Sequence, residues 1–321
     1  MKKLMYKSVL ASLVGLAVFS CQTMPEETPM TAEMAEEIAA AEGGDENARK
    51  VFGTEFGAFL IGSEEVIGGN TGVLVSPGAG SASIMLSPDG QSLQYEIRVA
   101  KTTDIIFGHF HLAPAGQNGP VLVDLVGAKP GLNNGVIASG EVRKEDIKNG
   151  FTVAQLVEEF KSGNIYVNVH TAVNRGGELR GQVSLVKPGA NKNFVVKLSG
   201  ENEVPAVITR AGGIAKFQFD SKDSNVGFQV NLNGIASNIR FSHIHIGKPG
   251  ANGGVAVTLR GDVVPGPFNG VYTKGTITAG MLSGQLLGGD LIILKEAFRT
   301  GNAYVNVHSV NFPSGELRGN F

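Results

Sequence analysis

This sequence predicts an all-β fold: two tandem antiparallel, Greek-key-like β-sandwich domains, each with about one short helix. Three observations predict it. Apolar and polar residues alternate with period two over short stretches such as 92–99 and 225–232. Glycine supplies 45 of 321 residues, about twice the usual share, which suits many turns and short strands. Everything after residue 50 reads as two copies of one unit.

Residues 1–21 read as an export signal. Lys2, Lys3 and Lys7 make a basic start, and 9–19 is an apolar run. That run is too short to span a bilayer, which takes about 20 residues. It ends in Val18-Phe19-Ser20-Cys21, which resembles a bacterial lipobox, although Phe19 is bulkier than the usual occupant. Cys21 is the single cysteine and stands where lipid would be attached, so no intramolecular disulfide forms. On this reading the protein is exported and anchored in the cell envelope, at the outer membrane, with the membrane as its partner through lipidated Cys21.

Residues 22–50 read as an acidic flexible tether. Glu26, Glu27, Glu33, Glu36, Glu37, Glu42, Asp45 and Glu46 face only Arg49 and Lys50, and too little apolar surface is present to fold alone. The whole chain carries a net charge of −2, so it shows no nucleic-acid footprint.

The first copy spans 51–186, a polar linker spans 187–193, and the second copy spans 194–321. Leu60-Ile61-Gly62-Ser63-Glu64-Glu65-Val66 answers Leu198-Ser199-Gly200-Glu201-Asn202-Glu203-Val204. Tyr166-Val167-Asn168-Val169-His170 answers Tyr304-Val305-Asn306-Val307-His308, and Gly177-Glu178-Leu179-Arg180-Gly181 answers Gly315-Glu316-Leu317-Arg318-Gly319. An offset of about 135 residues is far too long for a solenoid and indicates duplicated domains, each able to close its own core. Residues 121–125 and 255–259 read as further strands, and helices are expected over 152–161 and 291–299. Thr152 and Asp290 are capping types, and Gly163 and Gly301 are stop signals. Asn118-Gly119 and Asn252-Gly253 carry hairpin-turn chemistry. The glycines around Glu178 and Glu316 suggest close backbone approach, and Glu65 and Glu203 are expected to be solvated or turn-bonding carboxylates.

All six histidines fall in the repeat: His109, His111 and His170, then His243, His245 and His308. Residues i and i+2 of a strand share a face, so His109 and His111 project together, as do Tyr166, Asn168 and His170. Glu178 and Arg180 share a face, as do Glu316 and Arg318. Three neutral imidazoles with an open position are a common zinc or copper site, with a glutamate as fourth ligand or as a partner fixing an imidazole tautomer. The same residues can instead form a satisfied polar network that pins strand register without metal. No nucleophile elbow, phosphate-cradling loop or cysteine metal motif is present.

These motifs are similar to those of the chordin-type CHRD domain family. Its pattern is carried by Leu198-Ser199-Gly200-Glu201-Asn202-Glu203-Val204-Pro205, by His243-Ile244-His245-Ile246-Gly247 and by 304–319. The first copy departs from it at Ile67, Phe110 and Ala113 but keeps its three histidines. The resemblance implies a binding or structural module, since such domains accompany growth-factor-binding modules in animal chordins and occur in exported bacterial proteins. The His-x-His strand pair also looks like the copper side of a copper/zinc superoxide dismutase, without that family's bridging histidine or disulfide cysteines. The combined reading is a non-enzymatic, lipid-anchored tandem CHRD protein that binds a protein or ligand partner. The alternative is a copper or zinc protein using the two histidine sets, with redox activity like that of superoxide dismutase.

Overall fold

The structure is a computed structural model that describes residues 54–186 and 192–321. The expected export signal with Cys21, the tether and residues 187–191 of the linker lie outside the described residues. No described helix is long and apolar enough to cross a membrane.

The first copy forms β1 (Glu55–Ile61), β2 (Ala79–Leu86), β3 (Leu93–Leu112), β4 (Val121–Val126), β5 (Lys129–Val142), β6 (Ile165–Thr171), β7 (Leu179–Gln182) and β8 (Ser184–Leu185). The second forms β9 (Asn193–Ser199), β10 (Gly212–Phe219), β11 (Val226–Ile235), β12 (Ile239–Ile246), β13 (Gly254–Arg260), β14 (Phe268–Ile277), β15 (Ala303–Ser309) and β16 (Leu317–Asn320). Each copy is an eight-stranded antiparallel sheet, so the all-β expectation holds. The sheets are barrel-like because β3 is long and bent. Its first half pairs with β2 and β5, and its second half pairs with β6 and β4. In the second copy the same path is split into β11 and β12, paired in the equivalent way.

One helix per copy appears where the caps place it. Helix α1 (Val153–Lys161) starts at Thr152, whose hydroxyl accepts from the Gln155 amide at 3.2 Å, while the Gln155 side chain accepts from the Thr152 amide at 2.9 Å. Helix α2 (Leu291–Arg299) starts at Asp290, whose carboxylate accepts from the Ile292 and Ile293 amides. Gly163 and Gly301 end them in left-handed conformation, φ 70° in both.

The first core is built from residues such as Phe56, Leu60, Ile97, Phe110, Phe160 and Val167, and lies between the curled sheet and α1. The second contains Leu198, Phe217, Ile244, Phe298 and Leu317. Phe321 closes it, stacked on Phe298 with centroids 3.6 Å apart. Phe59, Ile61, Ala79 and Ala100 of the first copy belong to this second cluster. The cause is α2, which lies against β1 and β2 as well as its own sheet. A Cβ on Gly57 would stand 2.7 Å from the Glu296 carboxylate, and the buried pair Glu296–Arg299 closes at 2.8 Å. Arg98 pairs with Asp290, Lys248 with Glu64 at 2.5 Å, and the Gln285 amide donates to Ser76 O at 3.1 Å.

Candidate metal centre

The register of the sheet brings each histidine set together. In the first copy His109 stands opposite Asn168, His111 opposite Tyr166, and Phe107 opposite His170. Phe110, between the two histidines, turns into the core and is fully buried. The second copy repeats this, with His243 opposite Asn306, His245 opposite Tyr304 and Phe241 opposite His308. In each set, ring nitrogens of all three histidines lie within 4.8 Å of one another. Nitrogens around one tetrahedral ion, at metal–nitrogen distances of about 2.0–2.1 Å, sit roughly 3.4 Å apart, so small side-chain rotations would suffice.

Backbone carbonyls set four of the six tautomers. His111 Nδ1 donates to Gly119 O at 3.0 Å and His170 Nδ1 donates to Arg175 O at 3.0 Å. His245 Nδ1 donates to Gly253 O at 2.9 Å and His308 Nδ1 donates to Pro313 O at 3.0 Å. A carbonyl can only accept, so the proton sits on Nδ1 and the lone pair on Nε2. Nε2 of His111, His245 and His308 is buried and makes no hydrogen bond among the described residues, and the same holds for Nδ1 of His243. His170 Nε2 faces His109 Nδ1 at 3.3 Å.

Burial, joined by the neighbouring imidazoles, pushes His109 and His243 down to about 4. Burial likewise lowers His111, His170, His245 and His308. All six are therefore neutral near pH 7, the state in which an imidazole can ligate.

Tyrosine and arginine form a stack behind the cluster. The His111 ring lies on Tyr166 at 4.8 Å and 11°, and the Arg180 guanidinium covers the other face of that ring at 3.5 Å. His245, Tyr304 and Arg318 repeat the stack at 4.8 Å and 3.5 Å. Arg180 is fixed by Asn118 Oδ1 at 3.0 Å and Gln117 O at 2.7 Å. Arg180 and Arg318 thus hold the imidazoles through a tyrosine.

The carboxylates stand elsewhere than the sequence suggests. Glu178 accepts from Ser76, Thr171 and Asn174, and Glu316 from Thr209, so hydroxyls and an amide take them while backbone carbonyls take the imidazole N–H groups. Glu65 and Glu203, expected to be solvated or turn-bonding, are 3% and 7% exposed. The turn carrying each folds inward over the sheet, where Asn168 and Asn306 donate to them at 3.3 Å. Burial pushes both carboxyls up to about 7, against the opposing pull of Arg180 and Arg318.

Gly119 and Gly253 lie in the connections that join the antiparallel pairs β3–β4 and β12–β13, but neither has the positive φ of a two-residue hairpin turn. A Cβ there would stand 1.8 Å from Leu112 O or 1.6 Å from Ile246 O, so the chain passes too close for any side chain. The Gly119 amide donates to the Tyr166 hydroxyl at 3.2 Å while its carbonyl orients His111. The glycines flanking Glu178 meet expectation: Gly177 has φ 136°, and a Cβ on Gly181 would stand 2.1 Å from Phe59 O.

A model of the CHRD domain matches residues 56–183 and again 194–321. No curated protein and no solved structure matches the chain. With both matches together covering well over half of its length, the chain belongs to the CHRD domain family.

Proposed function

We propose that this tandem CHRD protein is a lipid-anchored component of the cell envelope whose two domains each bind one copper or zinc ion. His109, His111 and His170 would hold the first ion, and His243, His245 and His308 the second. The carrying observation is that Nε2 of His111, His245 and His308 is buried without a hydrogen bond among the described residues while Nδ1 of each is held by a backbone carbonyl. A network built only to pin strand register would pair those lone pairs, because an unsatisfied buried polar atom costs about 1–3 kcal/mol. Three neutral nitrogen donors suit zinc and copper and leave a coordination position free. The neighbouring Tyr–Arg stacks and carbonyl acceptors restrict the rings in the orientation a metal needs.

Zinc titration of protein purified without an affinity tag should give two ions per chain at pH 7.5, and one in either His170→Ala or His308→Ala. A chain whose melting and metal content ignore both zinc and copper would sink the site and leave the domains as a structural or partner-binding module. The anchor rests on Cys21. Cys21→Ser should move the protein from the membrane fraction to the soluble fraction, and palmitate labelling of the variant would contradict it.

A further inference from the structure

The two histidine sets differ at one place on their outer edge. His109 pairs across the sheet with Asp124, and His243 with Thr258. The Asp124 carboxylate lies 3.6 Å from His109 Nε2 and is bridged to Lys148 Nζ at 2.7 Å. Asp124 sits on the rim of a cavity of about 500 Å³ that also borders Phe107 and His109. The Asp124 side chain is 64% exposed, and Thr258 is also exposed.

His109 is the one histidine of its set without a backbone carbonyl to fix its proton. Its Nδ1 faces His170 Nε2 at 3.3 Å. His170 carries its own proton on Nδ1, where it donates to Arg175 O, so its Nε2 is a lone pair. Without metal, His109 satisfies that lone pair by holding its proton on Nδ1. A metal between the rings needs His109 Nδ1 as a lone pair, so the proton must reside on Nε2, the nitrogen facing Asp124. The exchange is internal to the ring: one proton leaves Nδ1 and one is taken up at Nε2, with no net change.

Resting on the metal reading above, we propose that Asp124 is a positioning residue that makes the first site the tighter of the two. It accepts the His109 Nε2 proton in the metal-bound form. The contact of 3.6 Å is longer than a hydrogen bond, and a small rotation of this exposed carboxylate closes it once the proton arrives. Partners of this kind orient the ring and raise its basicity, and losing one typically costs about 10–100-fold in metal affinity. The second site has no carboxylate at the equivalent position. Its His243 Nδ1 makes no hydrogen bond among the described residues, so neither end of that ring is guided.

Zinc affinities of the two sites, resolved by titrating full-length protein in His308→Ala and His170→Ala backgrounds, test this. Asp124→Asn should weaken the first site by about 10–100-fold. Asp124→Glu should retain most of the affinity, and Thr258→Asp should tighten the second site. Nitrogen NMR of the zinc-loaded protein should show His109 protonated on Nε2, and His111 and His170 on Nδ1. The NMR assignment separates orientation from a simple change of charge, which would leave the tautomer unmoved. Zinc binding that Asp124→Asn leaves within twofold, or a His109 protonated on Nδ1 in the loaded state, overturns the role of Asp124 alone. Absence of zinc binding at both sites overturns the metal reading and this inference with it.

Discussion

Strands β1 and β9 occupy the same place in the two copies, yet β1 is buried on both faces and β9 on one. β1 reads Glu55-Phe56-Gly57-Ala58-Phe59-Leu60-Ile61 and is buried from Phe56 onward. β9 reads Asn193-Phe194-Val195-Val196-Lys197-Leu198-Ser199, with Val196 and Leu198 buried and Val195 and Lys197 exposed. On the neighbouring strands Ser81 and Ser83 of β2 stand where Ile214 and Lys216 stand in β10. The first face, with Gly57, Phe59 and Ser81, lies under α2. The second carries lysines and faces solvent.

The helices show the same asymmetry from the other side. Ile293 and Ala297 of α2 are fully buried, while the equivalent positions of α1 hold Gln155 and Glu159. The duplication therefore uses one copy of a helix-on-sheet contact internally and makes the two unused copies of it polar. Repeat proteins cap their ends in this way, since an apolar stacking face left open invites further association. A repeat unit's fold and its stacking face are thus separable: the first is shared by both copies, and the second differs residue by residue.

Three substitution sets probe this contrast. The largest effect is expected at the helix. Ile293→Ala should cost about 2–5 kcal/mol, the usual range for emptying a buried Ile site, while Gln155→Ala in α1 should cost only about 1 kcal/mol, through its lost capping bond to the Thr152 amide. Thermal melting of the full chain measures both, and equal losses would erase the distinction between a covered and a capped helix.

A smaller effect is expected on the sheet. Gly57→Val installs in β1 the residue that β9 carries naturally. Its Cβ would meet Glu296 Oε2 at 2.7 Å and Ala82 O at 3.2 Å, so about 1–3 kcal/mol should be lost to overpacking. The reciprocal Val195→Gly touches no packed neighbour across the face, and should cost about 0.5–1 kcal/mol through strand entropy alone. A neutral Gly57→Val would mean that α2 does not press on β1.

Acidity should act on both copies alike and so give the smallest difference between them. The imidazoles are lowered by burial, His109 and His243 to about 4, so their contribution is present above about 6.5 and is lost as pH falls towards 4. Glu65 and Glu203 are raised to about 7, so their contribution is present below about 4.5 and is lost as pH rises through 7. With three lowered imidazoles against one raised carboxyl per copy, stability should climb steeply from pH 4 to 6.5 and more slowly from 6.5 to 7. Replacing both glutamates by glutamine should steepen the climb throughout this range. Melting temperatures that are flat across this range would contradict the burial of either group.

Much of this molecule is set by its sequence read alone, because the deciding forces there are local. Period-two alternation places β3, β4, β11 and β13, and the short-range caps at Thr152 and Asp290 place both helices at their observed starts. The identical spacing of the six histidines marks the site, since i and i+2 positions share a strand face whatever surrounds them. The apolar run of β1 beside the alternating run of β9 is visible in the letters, but it reads equally as a poorly patterned strand until what lies above it is known.

Tertiary structure alone decided the rest. Glu65 was misread because its burial comes from a turn folding over a strand a hundred residues away. Asn118-Gly119 matched a hairpin signal, yet its glycine answers a steric need created by the carbonyl of Leu112. The tautomers of the imidazoles depend on which carbonyls reach them, and the pairing of His109 with Asp124 depends on strand register. The docking of α2 on β1 depends on contacts nearly 240 residues apart. Such contacts arise from the summed packing of the whole chain, and no local pattern of residues encodes them.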